Sequence, residues 1–367
     1  MIKLGVINTG WWADAMYMPA FRALPKAEVV AVCGRNPEKA ANFAERWQVP
    51  HFFTNGIEMI ESGLCDAVVV ASHTDTHHPL VTAALGAGLH VLCEKPLAVS
   101  VAEAAEMTAL AKEKGLKTMV PFTYRFMPHN RYIKKLIDTG YIGTPYHLNI
   151  RYYHDFGRNP GYGWGWNRDK VGAGDLANLA VHPLYLAYWY FGEVESVTAE
   201  INQTINRGTV DPEGNPFTPG DDNGLVTLRF KNGALGSVHY SSLSYETTSA
   251  FKQQHFYDVH GSKGTLYHRN NWYDLQETIG ATVGEALHEL ELPDEVWGAG
   301  NIPGNVHESY KTVFRKDGHM VGEFVDSIIN DTTPSPSFAD GLAVQKIIAA
   351  AELSSAEGRR VAISSIG

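Results

Sequence analysis

Residues 3–21 read KLGVINTGWWADAMYMPAF: an apolar run, a glycine, then the start of a helical pattern. In a dinucleotide-binding fold this junction carries G-x-G-x-x-G/A, whose small residues allow a tight turn, close backbone approach to a pyrophosphate and close helix–strand packing. Here the six positions are Asn8, Thr9, Gly10, Trp11, Trp12 and Ala13. Gly10 and Ala13 keep the small residues. Asn8 takes the place of the first glycine, and asparagine is the side chain most tolerant of positive φ, so a turn there is expected to survive. Alone, the segment fits a working nucleotide turn and a degenerate one equally well.

The flanking sequence favours the working turn. Short β-branched runs at Leu4–Ile7, Val29–Val32, Ala67–Ala71, His90–Cys93 and Lys117–Val120 alternate with helical stretches such as Pro37–Trp47, Pro79–Ala87 and Val101–Lys114. Alternation of this kind predicts βαβ units and an α/β Rossmann domain over residues 1–123, with ligand sites beyond the carboxyl ends of the strands. From Tyr124 the texture changes. A helix near Pro128–Thr139 precedes longer, face-alternating strands at Tyr146–Tyr153, Val194–Asn202, Gly224–Phe230, Ala234–Ser241, Phe251–His260 and Thr265–His268, with Asn232-Gly233 as a hairpin turn. Residues 124–367 are therefore expected to form an α+β domain with one large, mostly antiparallel open sheet. Two late helices, near Gly318–Asn330 and Ala339–Glu357, end the chain, and the last is expected to pack back on the Rossmann domain.

Composition narrows the function. The chain has 367 residues, 44% hydrophobic and 19% charged, with a net charge of −10. No Lys/Arg stripe offers a track for nucleic acid, and no apolar run is long enough to span a bilayer. Cys33, Cys65 and Cys93 sit in or beside strand-like runs, at spacings that suit neither a disulfide framework nor a metal site. A cytoplasmic protein with no metal is expected.

Three further segments carry chemistry. The second βα junction ends in Gly34-Arg35-Asn36, where NAD-specific folds often place a carboxylate for the ribose hydroxyls. Arg35 instead suits a 2′-phosphate, a lean toward NADP within NAD(P), or else stacks on adenine. The strand at His90–Cys93 runs into Glu94-Lys95-Pro96, projecting a lysine from the sheet edge where nicotinamide would lie. Desolvation there would lower its pKa toward neutrality and suit it to proton transfer. In KVGAGDLANLAVHPLYLAYWYFG, residues 170–192, Asn178 and His182 fall four apart on one face of an expected continuous helix. Pro183 should kink that helix and free the Leu179 carbonyl.

Together with YRFMP at 124–128, NGALGSV at 232–238 and HGSKGTL at 260–266, these segments resemble the Gfo/Idh/MocA oxidoreductases, nearly end to end. The resemblance implies that Lys95 is the catalytic lysine, touching the nicotinamide ribose and the reacting hydroxyl, and that His182 is the family's frequent catalytic histidine. It also implies a cofactor turn at Gly10 and Ala13 and a ribose site at Gly34–Asn36, with Thr74 and His77 on the nicotinamide side; Asn8, Arg35, Asn36, Ser72, His73 and Glu94 are expected beside the cofactor, and Trp11 or Trp12 is expected to wall it from water. His73 replaces the usual proline, and Asn178 stands where many members have an aspartate that pairs with the histidine. An amide orients an imidazole but does not stabilise an imidazolium as a carboxylate does, which shifts the proton to Lys95.

For substrate, Tyr162, Trp164 and Trp166 offer flat faces to a sugar ring, and His154, Arg158, Arg168 and Arg125 offer hydroxyl or anion contacts, beside Asn178 and His182. The expected activity is an NAD(P)-dependent oxidoreductase of a sugar, polyol or acidic sugar derivative. The alternatives are an NAD-dependent glycosidase working through transient oxidation and a non-catalytic nucleotide sensor. The open face of the large sheet is expected to hold a second subunit, giving a homodimer or homotetramer.

Overall fold

The computed structural model describes residues 1–159, 174–210, 214–245, 253–297, 302, 304–316 and 319–367. The chain divides into two units: residues 1–123 with 311–345, and residues 124–310 with 346–367. The helix Phe338–Glu357 is shared between them.

The first unit is built on six strands: β1 (Ile2–Ile7), β2 (Ala27–Cys33), β3 (His51–Phe53), β4 (Ala67–Val70), β5 (His90–Cys93) and β6 (Thr118–Met119). They pair in the order β3-β2-β1-β4-β5-β6, and every pair is parallel. This is the doubly wound dinucleotide-binding arrangement, and its order reverses between β1 and β4. Those central strands are apolar on both faces, with Leu4, Val6, Ala67, Val68, Val69 and Val70 fully buried, because helices cover both sides.

Helices Pro37–Trp47 and Val101–Lys114 start on side-chain caps, Asn36 to the Lys39 N–H and Ser100 to the Glu103 N–H, both residue types that favour this position. Strand β3 and the short helix Gly56–Glu61 were not expected. At three residues and largely exposed, β3 has too little apolar pattern to register. Cys33 and Cys65 are free and buried, and burial pushes each thiol up to about 11, which makes them inert core residues.

Among its described residues the second unit carries nine strands: β7 (Pro145–His154), β8 (Val194–Asn202), β9 (Asn223–Phe230), β10 (Leu235–Ser241), β11 (Gln253–Gly261), β12 (Gly264–Asn270), β13 (Gln276–Thr282), β14 (His288–Glu289) and β15 (Val361–Ala362). Their order is β14-β13-β12-β11-β7-β10-β9-β8-β15, antiparallel except for the central β7–β10 pair. Strict alternation puts Leu148, Ile150, Tyr152 and His154 of β7 on the buried face, in register with Val238 and Tyr240 on one side and His255, Tyr257 and Val259 on the other. The β9–β10 hairpin turns at Asn232-Gly233, but only Gly233 has positive φ (90°), and Phe230 N–H reaches the Ala234 carbonyl. That is a type I turn closed by a glycine bulge.

No described helix is long and apolar enough to cross a membrane.

Candidate active site

The nucleotide turn shows what the asparagine does. Asn8 does not take positive φ, contrary to the expectation from its conformational tolerance. Its side chain closes the turn instead: Oδ1 accepts the Gly10 N–H at 2.6 Å, and Nδ2 donates to the Ala71 carbonyl at the end of β4. A glycine there would supply neither bond. The helix that follows begins at Gly10, whose carbonyl accepts the Asp14 N–H, so its N-terminus opens at the β1/β4 reversal where pyrophosphates bind. The residues fit such a group sterically. A Cβ at Gly34 would lie 2.5 Å from Thr9 Oγ1, and Ala13 is fully buried, so the loops after β1 and β2 already lie close together with no spare side-chain volume. After β2, Arg35 and Asn36 are exposed, and the Asn36 amide oxygen is committed to its helix cap.

Glu94 and Lys95 leave β5 at the same edge. A free-standing Glu–Lys pair on a loop is usually solvated, yet Glu94 is only 8% exposed. Its Oε1 accepts two hydrogen bonds at 2.7 Å, one from the Trp12 indole and one from the Tyr17 hydroxyl, and its Oε2 accepts the Lys95 main-chain N–H. Burial raises the Glu94 pKa, with the Lys95 charge and the three donors pulling it back. Burial lowers the Lys95 amine and the Glu94 charge opposes it. At the surface Lys95 is half-buried, but its amine is desolvated enough for burial to dominate.

His77 is 1% exposed, and both ring nitrogens are engaged by main-chain carbonyls: Nδ1 by Pro96 and Leu97, Nε2 by Ser72. It ties the loop after β4 to the lysine loop, and no ring nitrogen remains for a cofactor. Thr74 is buried, His73 is exposed, and Ser72 pairs with Thr76 through their hydroxyls. Trp11 is 67% exposed.

In the second unit the glycine-rich segment does not run on as one helix. It forms Gly174–Asn178, turns at Leu179-Ala180, and resumes as Val181–Phe191. The expected Asn178–His182 alignment on one helical face is therefore broken. Pro183 falls in the first turn of the second helix, where its missing N–H costs nothing, and the Leu179 carbonyl accepts the His182 N–H instead. His182 is buried with its ring stacked on Tyr124, centroids 4.3 Å apart and planes at 24°. The Tyr124 hydroxyl lies 3.0 Å from that of Tyr152, which donates onward to Gln253 Oε1. With the Tyr152 proton so directed, Tyr124 is the donor within the pair.

An acid behind this segment escaped the sequence reading. Asp221 holds the start of the helix Gly174–Asn178: its Oδ2 accepts the Leu176 N–H and the Tyr240 hydroxyl, and its carbonyl accepts the Asp175 N–H. Gly174 has φ +54°, and a Cβ there would sit 2.1 Å from Asp221 Oδ1. Although Asp221 keeps an edge at the surface, its carboxyl is enclosed; burial, with help from Asp175, pushes it up to about 7 against the pull of Tyr240. The folded state thus holds a proton that the unfolded state has released. Stability should fall as pH rises from about 4 to about 7, and Asp221→Asn should flatten that slope in pH-resolved thermal melts. A slope unchanged by the substitution would assign it to another group.

The remaining substrate candidates separate. The Arg125 guanidinium donates from Nη1 to the Tyr185 hydroxyl and lies 4.6 Å from the Trp189 ring, both within its own unit. His154 is 2% exposed, with Nδ1 accepting the Phe156 N–H, which makes it a core residue. Arg158 is exposed, over the Tyr245 ring at 4.7 Å. Tyr162, Trp164, Trp166 and Arg168 lie outside the described residues. Tyr17, Tyr124 and Asp221 were the residues missed. Tyr124 alone had a signal, its place in YRFMP, whereas Tyr17 and Asp221 read as a core aromatic and a loop acid.

Residues 2–122 match the family model described as the oxidoreductase family, NAD-binding Rossmann fold, of Gfo/Idh/MocA type, and residues 134–363 match the C-terminal alpha/beta domain of the same family. The chain belongs to the Gfo/Idh/MocA oxidoreductases. It is 28% identical to a levoglucosan dehydrogenase of Pseudarthrobacter phenanthrenivorans, over 94% of each chain. It is 27% identical to a 1,5-anhydro-D-fructose reductase of Ensifer adhaerens, over 87% of this chain and 89% of that protein. A solved levoglucosan dehydrogenase in complex with NADH superposes with a TM-score of 0.87, at 26% identity and 99% coverage of both chains. This chain is thus an oxidoreductase of that family with an NAD-binding Rossmann fold.

Proposed function

We propose that the protein moves a hydride between a nicotinamide cofactor and a hydroxyl-bearing carbon of a cyclic sugar, polyol or sugar derivative. The observation that carries this reading is Lys95, a desolvated amine at the carboxyl edge of β5, held beside a nucleotide turn. The sugars named for the relatives support the substrate class. A bound nicotinamide would supply the two-electron acceptor. Lys95, neutral, takes the hydroxyl proton as the carbon loses its hydride, and the alcohol becomes a ketone; the reverse reduces a keto sugar. His182 is the second proton-handling group, its ring held by the Tyr124 stack. Asn178, four residues before His182, carries no charge, and in the fold a turn separates the two, which favours Lys95 as the proton carrier.

Arg35 is the exposed cation at the ribose position and no carboxylate faces it in the Gly34–Asn36 segment, which supports use of NADP. Arg35→Ala should raise the KM for NADP roughly tenfold while leaving that for NAD nearly unchanged, the loss of one charge-assisted contact. Equal effects on both cofactors would end the preference.

The test of the whole reading is a screen of sugars, sugar acids and glycosides with each cofactor, following nicotinamide absorbance and glycoside cleavage together. Cofactor-coupled oxidation or reduction supports it. Cleavage with no net reduced cofactor would replace it with redox-assisted hydrolysis.

A second copy of the chain is proposed on the open sheet face, where Leu225 (44%) and Leu235 (51%) are exposed on adjacent strands. Leu225→Glu with Leu235→Glu should yield a monomer by light scattering, and an unchanged mass would place the contact elsewhere.

A further inference from the structure

The two tryptophans of the nucleotide turn are unusual, and only one of them is exposed. Trp12 is bound inward to the catalytic loop, together with Tyr17. The two are five residues apart, a separation that in an α-helix would put them roughly 140° apart around the axis. The segment Ala13–Tyr17 is π-helical, with the Met18 N–H bonded to the Ala13 carbonyl five residues back. That wider turn brings both side chains to one side, and both donate to the same oxygen of Glu94. Such π segments are rare and concentrate at functional sites. Phe314 packs edge-on against both rings, 6.1 Å from each, and Arg315 donates to the Ala15 carbonyl from the same helix, which fixes the segment from behind.

We propose that Trp12 and Tyr17 are positioning residues for Lys95: through one shared carboxylate oxygen they hold the Glu94 charge and the Lys95 main chain to the turn that binds the cofactor. The inference rests on the reading of Lys95 as the proton carrier, but not on any substrate. Two neutral donors on one oxygen stabilise the carboxylate over the acid, which matters because burial acts in the opposite sense. Glu94 in turn holds the Lys95 main chain through its second oxygen. Placement of the cofactor turn and the charge beside the reacting amine are thereby set by the same two side chains. The titratable groups that Glu94 faces are Tyr17, Cys93 and Lys95. The tyrosine and cysteine are pushed up by burial and by Glu94 itself, and burial lowers the lysine while Glu94 opposes it, so among these groups Lys95 is the basic one whose titration reads the Glu94 charge.

The test reads Lys95 directly, in the full-length protein without substrate. Trace acetylation with acetic anhydride across a pH series, quantified on the Lys95 peptide by mass spectrometry, gives the midpoint at which the amine becomes nucleophilic. Glu94→Gln removes the opposing charge and should lower that midpoint by about one pH unit. Tyr17→Phe and Trp12→Phe keep the ring bulk and lose one donor each. Glu94 then holds a proton to higher pH, and the midpoint should move in the same direction by about half as much. In the Glu94→Gln background neither should shift it further. Tyr17→Phe and Trp12→Phe shifts that persist undiminished in that background, or no shift from either in the native one, would overturn the proposal. Because acetylation needs no turnover, its result stands apart from the outcome of the substrate screen.

Discussion

Lys95→Ala is expected to lower kcat by about a thousandfold, within the range for losing a general base, while nicotinamide cofactor binding weakens far less, by the one ribose contact. The backbone contacts that shape the nucleotide turn come from Asn8, Gly10 and the helix after them, not from the lysine side chain. Lys95→Arg sharpens the test. It keeps the positive charge, but a guanidinium does not release its proton in this pH range, so it should not rescue oxidation. In the native protein, oxidation should gain rate as pH rises through the depressed Lys95 pKa, because the neutral amine is the base. Steady-state rates with a substrate from the screen and fluorescence titration of the reduced cofactor give both quantities. Turnover of Lys95→Ala within tenfold of native would remove the lysine from proton transfer.

The largest loss of stability should come from Asp222→Ala. Asp222 is fully buried, and its carboxylate accepts the N–H groups of Thr204 and Ile205 at 2.8 and 2.9 Å, with the Arg207 guanidinium at 3.4 Å. The Arg207 side chain is itself only 4% exposed and also donates to the Gly157 carbonyl. Removing one partner of a buried ion pair while the other stays costs about 3–5 kcal/mol, so the thermal midpoint should fall by about 10 °C. Asp222→Asn, which keeps an acceptor but no charge, should lose about half as much. Because the neighbouring Asp221 holds the glycine-rich start of the His182 segment, the alanine variant should also lose activity below its melting range. A loss under about 1 kcal/mol would mean the loop from Thr204 to Arg207 is held by other contacts.

The sequence alone determined the architecture, because both sheets advertise themselves in side-chain periodicity. Continuous apolar runs marked the parallel strands buried on both faces, and alternation marked the large sheet with its single buried face. Lys95 and His182 stand out as candidates for a similar reason: each sits at a fixed place after a strong local signal, the end of β5 and the start of a glycine-rich segment. What remained hidden depends on residues far apart in the chain. Asn8 reads as a tolerated substitute for glycine, and only the fold puts the Ala71 carbonyl beside its amide. Asn178 and His182 align on paper, but a turn separates their helices, because Pro183 sits most cheaply in a first turn. Trp12, Tyr17 and Glu94 converge across some eighty residues through a π-helical register that no local pattern announces. Periodicity is a local property and survives in the sequence; the pairing of a buried charge with its donors is a tertiary one, and the tertiary structure alone decided it.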